Sequence, residues 1–141
     1  MTDSSTEVRY GELHRYATLA KAVYGDVVGI RRTHGDSATV SEGTGSRVQW
    51  LVVNDAEEAV QWIAVRGTFN PRNVLINGRM KVSREARLGA YFHSGFLRAA
   101  VEAYDAIVPA LDARRQIRIT GHSLGGAVAA ILTALLAESP A

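Results

Sequence analysis

The sequence predicts an α/β domain, a mixed sheet with helices on its faces. Three observations carry this. Two β-rich runs, Val48 to Val53 and Ala59 to Val65, flank Asn54-Asp55-Ala56-Glu57-Glu58, a polar connection that suits an antiparallel hairpin. A further strand run, Ile117 to Thr120, passes through a glycine-rich turn into Ala127 to Ala137, an apolar helix whose one polar residue is Thr133. Helical periodicity appears both before the hairpin and between it and the last strand. The order is therefore helix, hairpin, long loop, helix, strand, helix.

Residues 1–6 are polar, and a disordered N-terminus is expected over residues 1–9, with one domain from 10 to 141. From Tyr10 to Val23, the residues Leu13, Tyr16, Ala17, Ala20, Val23 and Tyr24 recur at helical spacing, with Glu12, Arg15 and Lys21 opposite. This predicts an amphipathic helix covering the sheet and ended by Gly25-Asp26. Residues 31–46, rich in Gly, Ser, Thr and Asp, read as loop or a weak edge hairpin. Residues 69–92 have no regular pattern. Ser94 is placed to cap a helix over Gly95 to Leu111, with Phe96, Ala100, Tyr104, Ile107, Val108 and Leu111 inward. Pro109 is expected to end or kink it early.

At 141 residues the chain is one domain's worth, with enough length for a core. Apolar residues at 47% and charged residues at 21% are ordinary for a soluble globular protein, and a formal charge of +2 gives no argument for nucleic acid. There is no cysteine, hence no disulfide frame, thiolate metal site or cysteine nucleophile. Residues 1–30 hold no apolar run of signal-peptide length, and Ala127 to Ala137 is too short to span a bilayer. A cytoplasmic protein is the expectation.

Chemistry concentrates at Gly121-His122-Ser123-Leu124-Gly125. Strand, G-x-S-x-G and helix occur in the order of the nucleophile elbow of serine hydrolases built on the α/β-hydrolase sheet. Such a turn holds the serine in a strained conformation with its Oγ pushed out of the sheet. Gly121 and Gly125 lack a Cβ, which lets strand and helix approach closely. The helix beginning at Leu124 points its first amides at the place where an oxyanion develops. In this fold the acid and the histidine follow the serine. Residues 124–141 contain no His and no Asp, and Glu138 sits about four helical turns away on the serine's own helix. The chain is thus expected to be truncated after the nucleophile helix, an incomplete domain whose last strand has an open edge that another chain would cover.

Three stretches together, Val65-Arg66-Gly67-Thr68, His93-Ser94-Gly95-Phe96 and Thr120-Gly121-His122-Ser123-Leu124-Gly125-Gly126, resemble the class 3 (fungal-type) lipase family in order and spacing. Tyr16 to Tyr24 is similar to that family's first helix. The resemblance covers about residues 10–138 and implies a partial α/β-hydrolase fold, missing its C-terminal strands and helices. It implies that Ser123 is the nucleophile, attacking an ester carbonyl to give an acyl-enzyme. It makes Leu124 N–H one oxyanion donor and Thr68, by amide and hydroxyl, the other, and it puts Phe69 to Asn77 where such lipases carry a lid. No cofactor and no metal are implied.

The remaining candidates have plainer readings. His122 is too close along the chain to serve as base for Ser123 and reads as structural. His93 reads as a positioning residue beneath the site, His14 belongs to a helix and His34 to a loop; no two histidines have metal-ligand spacing. Arg72, Arg79, Lys81, Arg84 and Arg87 stand against Glu85 alone, a solvated basic loop or a rim for transient contact with an anionic lipid surface. Asn73 and Asn77 have no assignable role. The expected function is a lipase-type carboxylic-ester hydrolase acting on acylglycerols or small lipid esters. The alternatives are an inactive lipase-like fragment or binding module, an enzyme completed by a second chain supplying Asp and His, and a thioesterase or acyltransferase.

Overall fold

The computed structural model describes residues 4–41, 48–67 and 81–138. Four strands form one sheet in the order β1 (Ala38–Val40), β2 (Trp50–Asp55), β3 (Val60–Val65), β6 (Gln116–Gly121). β2 is antiparallel to both β1 and β3, whereas β3 and β6 run parallel, so the sheet is mixed as expected. Two further strands, β4 (Val82–Glu85) and β5 (Ala90–His93), form a separate hairpin.

Strand alternation divides the core into two layers. Trp50, Val52, Ile63 and Val65 face α3 (Ser94–Ile107) and α4 (Leu124–Ala137), meeting Ala100, Ile107, Val128 and Leu132. Leu51, Val53, Val60, Trp62 and Ala64 face the other way, against Leu19 of α1 (Ser4–Ala22), Val23 just after it, and Ile30 of α2 (Val27–His34). β3 is buried along its whole length, which is why its sequence is a nearly continuous apolar run rather than an alternating one. Its polar residue, Gln61, is satisfied: its amide donates to Asn54 Oδ1 (2.7 Å) and its carbonyl accepts from Asp112 N (2.8 Å).

Several expectations need correction. Helix α1 begins at Ser4, so residues 4–9 of the stretch expected to be disordered are helical. Its sheet-facing side is also different. Tyr10 and Leu13 are exposed, while Arg15 pairs with Asp55 and Glu12 with Arg118 (3.0 Å). The guanidinium groups of Arg15 and Arg118 lie 4.9 and 5.1 Å from the Trp62 ring, and Tyr16 meets that ring edge-on at 4.9 Å. Charged residues thus do packing work, which apolar periodicity does not register.

Gly25-Asp26 stops α1 but also starts α2, because Asp26 Oδ1 caps Gly29 N at 2.6 Å. The β4–β5 hairpin was hidden by charged and small residues; it closes through Gly89 N to Ala86 O (3.3 Å). The cap of α3 is His93, whose Nδ1 accepts from Gly95 N (3.2 Å). Ser94 Oγ instead bonds Lys81 O and Ser83 Oγ, tying the hairpin to the helix. Pro109 ends α3 early, in a short 3-10 turn over Val108–Ala110.

Candidate functional site

The parallel pairing of β3 with β6 builds the site. Its register sets Val65 opposite Gly121, so the two strands end side by side. The chain leaving β3 at Arg66-Gly67 therefore runs beside the turn leaving β6 at His122-Ser123. Carboxyl ends of parallel strands are where open α/β sheets bind ligands.

Ser123 sits between β6 and α4 at φ 55° and ψ −125°, a conformation that side-chain-bearing residues avoid. Two close approaches hold it there. A Cβ on Gly121 would overlap the Gly125 carbonyl, and a Cβ on Gly125 would overlap the Val65 carbonyl oxygen and approach Gly67 N within 2.8 Å. Strand, turn and helix therefore interlock through bare backbone. Ser123 and His122 are exposed, so the serine is presented at the surface of the turn.

The first amides of α4 divide in two. Gly125 N and Gly126 N turn back to the carbonyls of His122 (3.0 Å) and Ser123 (2.9 Å). Leu124 N, at the first helical position, has no acceptor within its own helix. Thr68 and Phe69 to Asn77, the expected second donor and lid region, lie outside the described residues, as do Arg72, Arg79, Asn73 and Asn77.

Two histidines, His93 and His122, have defined partners. His93 Nδ1 caps α3, with its ring 4.6 Å from that of Phe96. His122 Nδ1 lies 3.1 Å from the hydroxyl of Tyr24, which also accepts from Gly67 N (3.1 Å). The helical spacing of the sequence puts Tyr24 on a helix face and carries no sign of this role. Behind it, Arg66 lies over the Tyr24 ring at 5.3 Å and donates to Gln49 Oε1 (2.5 Å), and Gln49 donates to Gly25 O (3.2 Å). No pattern in the sequence pairs residues 24, 49, 66 and 122, because only folding brings them together.

β6 forms one side of the sheet, with its outer edge unpaired among the described residues. A groove of about 440 Å³ runs there, lined by Tyr16, Ile117, Arg118, Ile119, Thr133 and Leu136. Among the described residues, no helix is long and apolar enough to cross a membrane.

Sheet order, helices on both faces and the strained turn after β6 define an α/β-hydrolase domain, of which this chain has part. The structure aligns with lipase II of Rhizopus niveus at a TM-score of 0.73 and 22% identity, over 94% of this chain and 57% of that one. It aligns with the Lip2 lipase of Yarrowia lipolytica at a TM-score of 0.71 and 22% identity, over 94% and 56%. The chain belongs to the class 3 lipase family, whose model matches residues 62–141. It is 33% identical over 101 residues to a secreted mono- and diacylglycerol lipase of Fusarium solani, covering 67% of this chain and 30% of that protein. It is 26% identical over 98 residues to a chloroplastic phospholipase A1 of Arabidopsis thaliana, covering 64% and 14%. It thus spans under a third of these curated relatives and little more than half of the solved lipases.

Proposed function

We propose that this chain carries the nucleophile half of a lipase-type serine carboxylic-ester hydrolase, acting on acylglycerols or smaller lipid esters. The observation that carries the reading is Ser123, exposed at φ 55° at the end of β6 with the β3 exit loop alongside. The substrate class is suggested by relatives named for mono- and diacylglycerols and for phospholipids.

In this reading Ser123 Oγ loses its proton to a base and bonds to the ester carbonyl carbon. The carbonyl oxygen becomes an oxyanion, held by Leu124 N–H and by Thr68. Collapse expels the alcohol, which takes the proton from the base, and water then releases the acid by the same steps. Each oxyanion donor is worth about 3 kcal/mol of transition-state stabilisation. Residues 124–141 supply no His or Asp, so this reading assigns the base to none of them. A cytoplasmic location belongs to this proposal too and is tested by fractionation.

The outer edge of β6, unpaired among the described residues, favours with its groove a second reading: a lipase-like module that binds a partner along that edge and does not turn over ester. Hydrolysis of p-nitrophenyl butyrate by the chain and by Ser123→Ala separates the two. A rate that vanishes in the variant supports an activated Ser123. Equal background rates in both sink hydrolysis by this chain alone and leave the binding reading.

A further inference from the structure

Tyr24 follows the end of α1, yet its hydroxyl reaches two segments far along the chain. Gly67 N, just beyond β3, donates to it at 3.1 Å, and His122 Nδ1, next to Ser123, lies 3.1 Å away on another side. A peptide N–H only donates, so the phenol oxygen is the acceptor in the first bond. It retains one proton to give, and a neutral imidazole with a bare Nδ1 is positioned to accept it.

The ring has two defined neighbours. Arg66 lies over it at 5.3 Å, and the His122 ring meets it edge-on at 5.9 Å between centroids and 73° between planes. Gly67 makes room for this arrangement: a Cβ there would stand 2.8 Å from the Tyr24 hydroxyl and 2.8 Å from the His122 carbonyl oxygen. One hydroxyl therefore joins the loop leaving β3 to the turn that carries Ser123.

We propose that the Tyr24 hydroxyl is a positioning group, which fixes the loop leaving β3 at Gly67 against the serine turn. Its catalytic consequence rests on the ester-hydrolase reading above, in which oxyanion donors come from these two separate segments. Their spacing then depends on whatever ties the segments together, and a small misplacement of a donor lowers the rate steeply. Tyr24 touches no reacting atom in this scheme; it acts through Gly67 and His122.

The test is Tyr24→Phe in the full chain, which keeps the ring and deletes the oxygen. By NMR, the Gly67 amide should exchange about tenfold faster in the variant, the scale of one lost hydrogen bond. The His122 Nδ1 resonance should move, while the Gly125 amide, bonded to His122 O, should keep its protection. Unchanged Gly67 exchange and unchanged His122 shifts would overturn the clamp, whether or not the chain hydrolyses esters. With p-nitrophenyl butyrate, kcat should fall about tenfold with KM within about twofold, the pattern of an interaction made in the transition state. An unchanged kcat in an active protein would overturn the positioning role. A wild-type chain no more active than Ser123→Ala would count against the hydrolase reading alone, and the exchange measurement would still decide the clamp.

Discussion

Gly125, in the first turn of α4, lies so close to Val65 that a Cβ on it would overlap the Val65 carbonyl oxygen. The contact is backbone against backbone, so no side chain can swing aside to relieve it. This approach keeps the serine turn and the loop after β3 in register.

Gly125→Ala should therefore destabilise the domain by about 3 kcal/mol, the upper range for overpacking a site that cannot relax. Gly126→Ala is the matched control. Its Cβ would meet nothing nearer than Gly121 O at 3.3 Å, and alanine's better helix propensity offsets about 1 kcal/mol. Urea unfolding of both variants decides the matter. Equal midpoints would mean that α4 shifts freely against β3 and that the close approach is not a constraint.

Strain at Ser123 gives a second prediction. At φ 55° and ψ −125° any residue with a Cβ is held in an unfavourable conformation at a cost of about 1–3 kcal/mol, and glycine is not. Both Ser123→Gly and Ser123→Ala remove the hydroxyl, but only the first removes the Cβ. The glycine variant should be the more stable by about 1 kcal/mol, after allowing for its greater freedom when unfolded. Thermal unfolding of the pair measures this. An alanine variant at least as stable as the glycine one would show that the turn stores no strain.

These two sites also mark what the sequence made legible. Gly121-x-Ser123-x-Gly125 between an apolar strand and an apolar helix is a local arrangement, and every part of it lies within a few residues. The β2–β3 hairpin was legible for the same reason, since both strands are rich in Val, Ile and Trp around a short polar turn. What escaped depends on distant partners. Glu12 and Arg15 looked like the solvent side of α1, yet they meet Arg118, Asp55 and the Trp62 ring, none of which is near in sequence. The β4–β5 hairpin has one face of Val82, Arg84, Tyr91 and His93, too mixed to register as a strand pattern. Tyr24 could be placed on a helix but not beside Gly67 and His122.

His93 provides a further test of such local reasoning. Its Nδ1 accepts from Gly95 N at the start of α3, and its ring packs on Phe96. His93→Phe keeps a ring but removes the acceptor, and should cost about 1 kcal/mol for the lost cap. His93→Asn keeps an acceptor of a good capping type and loses the ring contact. If the phenylalanine variant unfolds at the same urea concentration as wild type, the residue acts through ring packing and its cap contributes nothing measurable.

Asp55 closes the β2–β3 turn and joins it to α1. Its Oδ1 accepts from Glu57 N and Glu58 N, both at 3.0 Å, and its Oδ2 is paired with Arg15. The Glu58 amide first, then the Arg15 guanidinium, hold its carboxyl below the usual carboxylate range. A carboxyl with a depressed folded-state pKa adds stability that is fully present above its unfolded value of about 3.9 and is lost as pH falls through the lower folded value. Asp55→Asn leaves an acceptor for the two amides and removes the charge facing Arg15. Wild type should lead this variant in urea midpoint by a constant margin from about pH 7 to about pH 5, and that margin should shrink steadily below about pH 4. Added salt at about pH 7 should narrow it only in part, because the Asp55 side chain is 13% exposed and screening acts mainly on exposed charges. A margin that stays constant down to about pH 2 would show that the turn is held by Asp55 as a neutral acceptor and that its charge does not stabilise the fold.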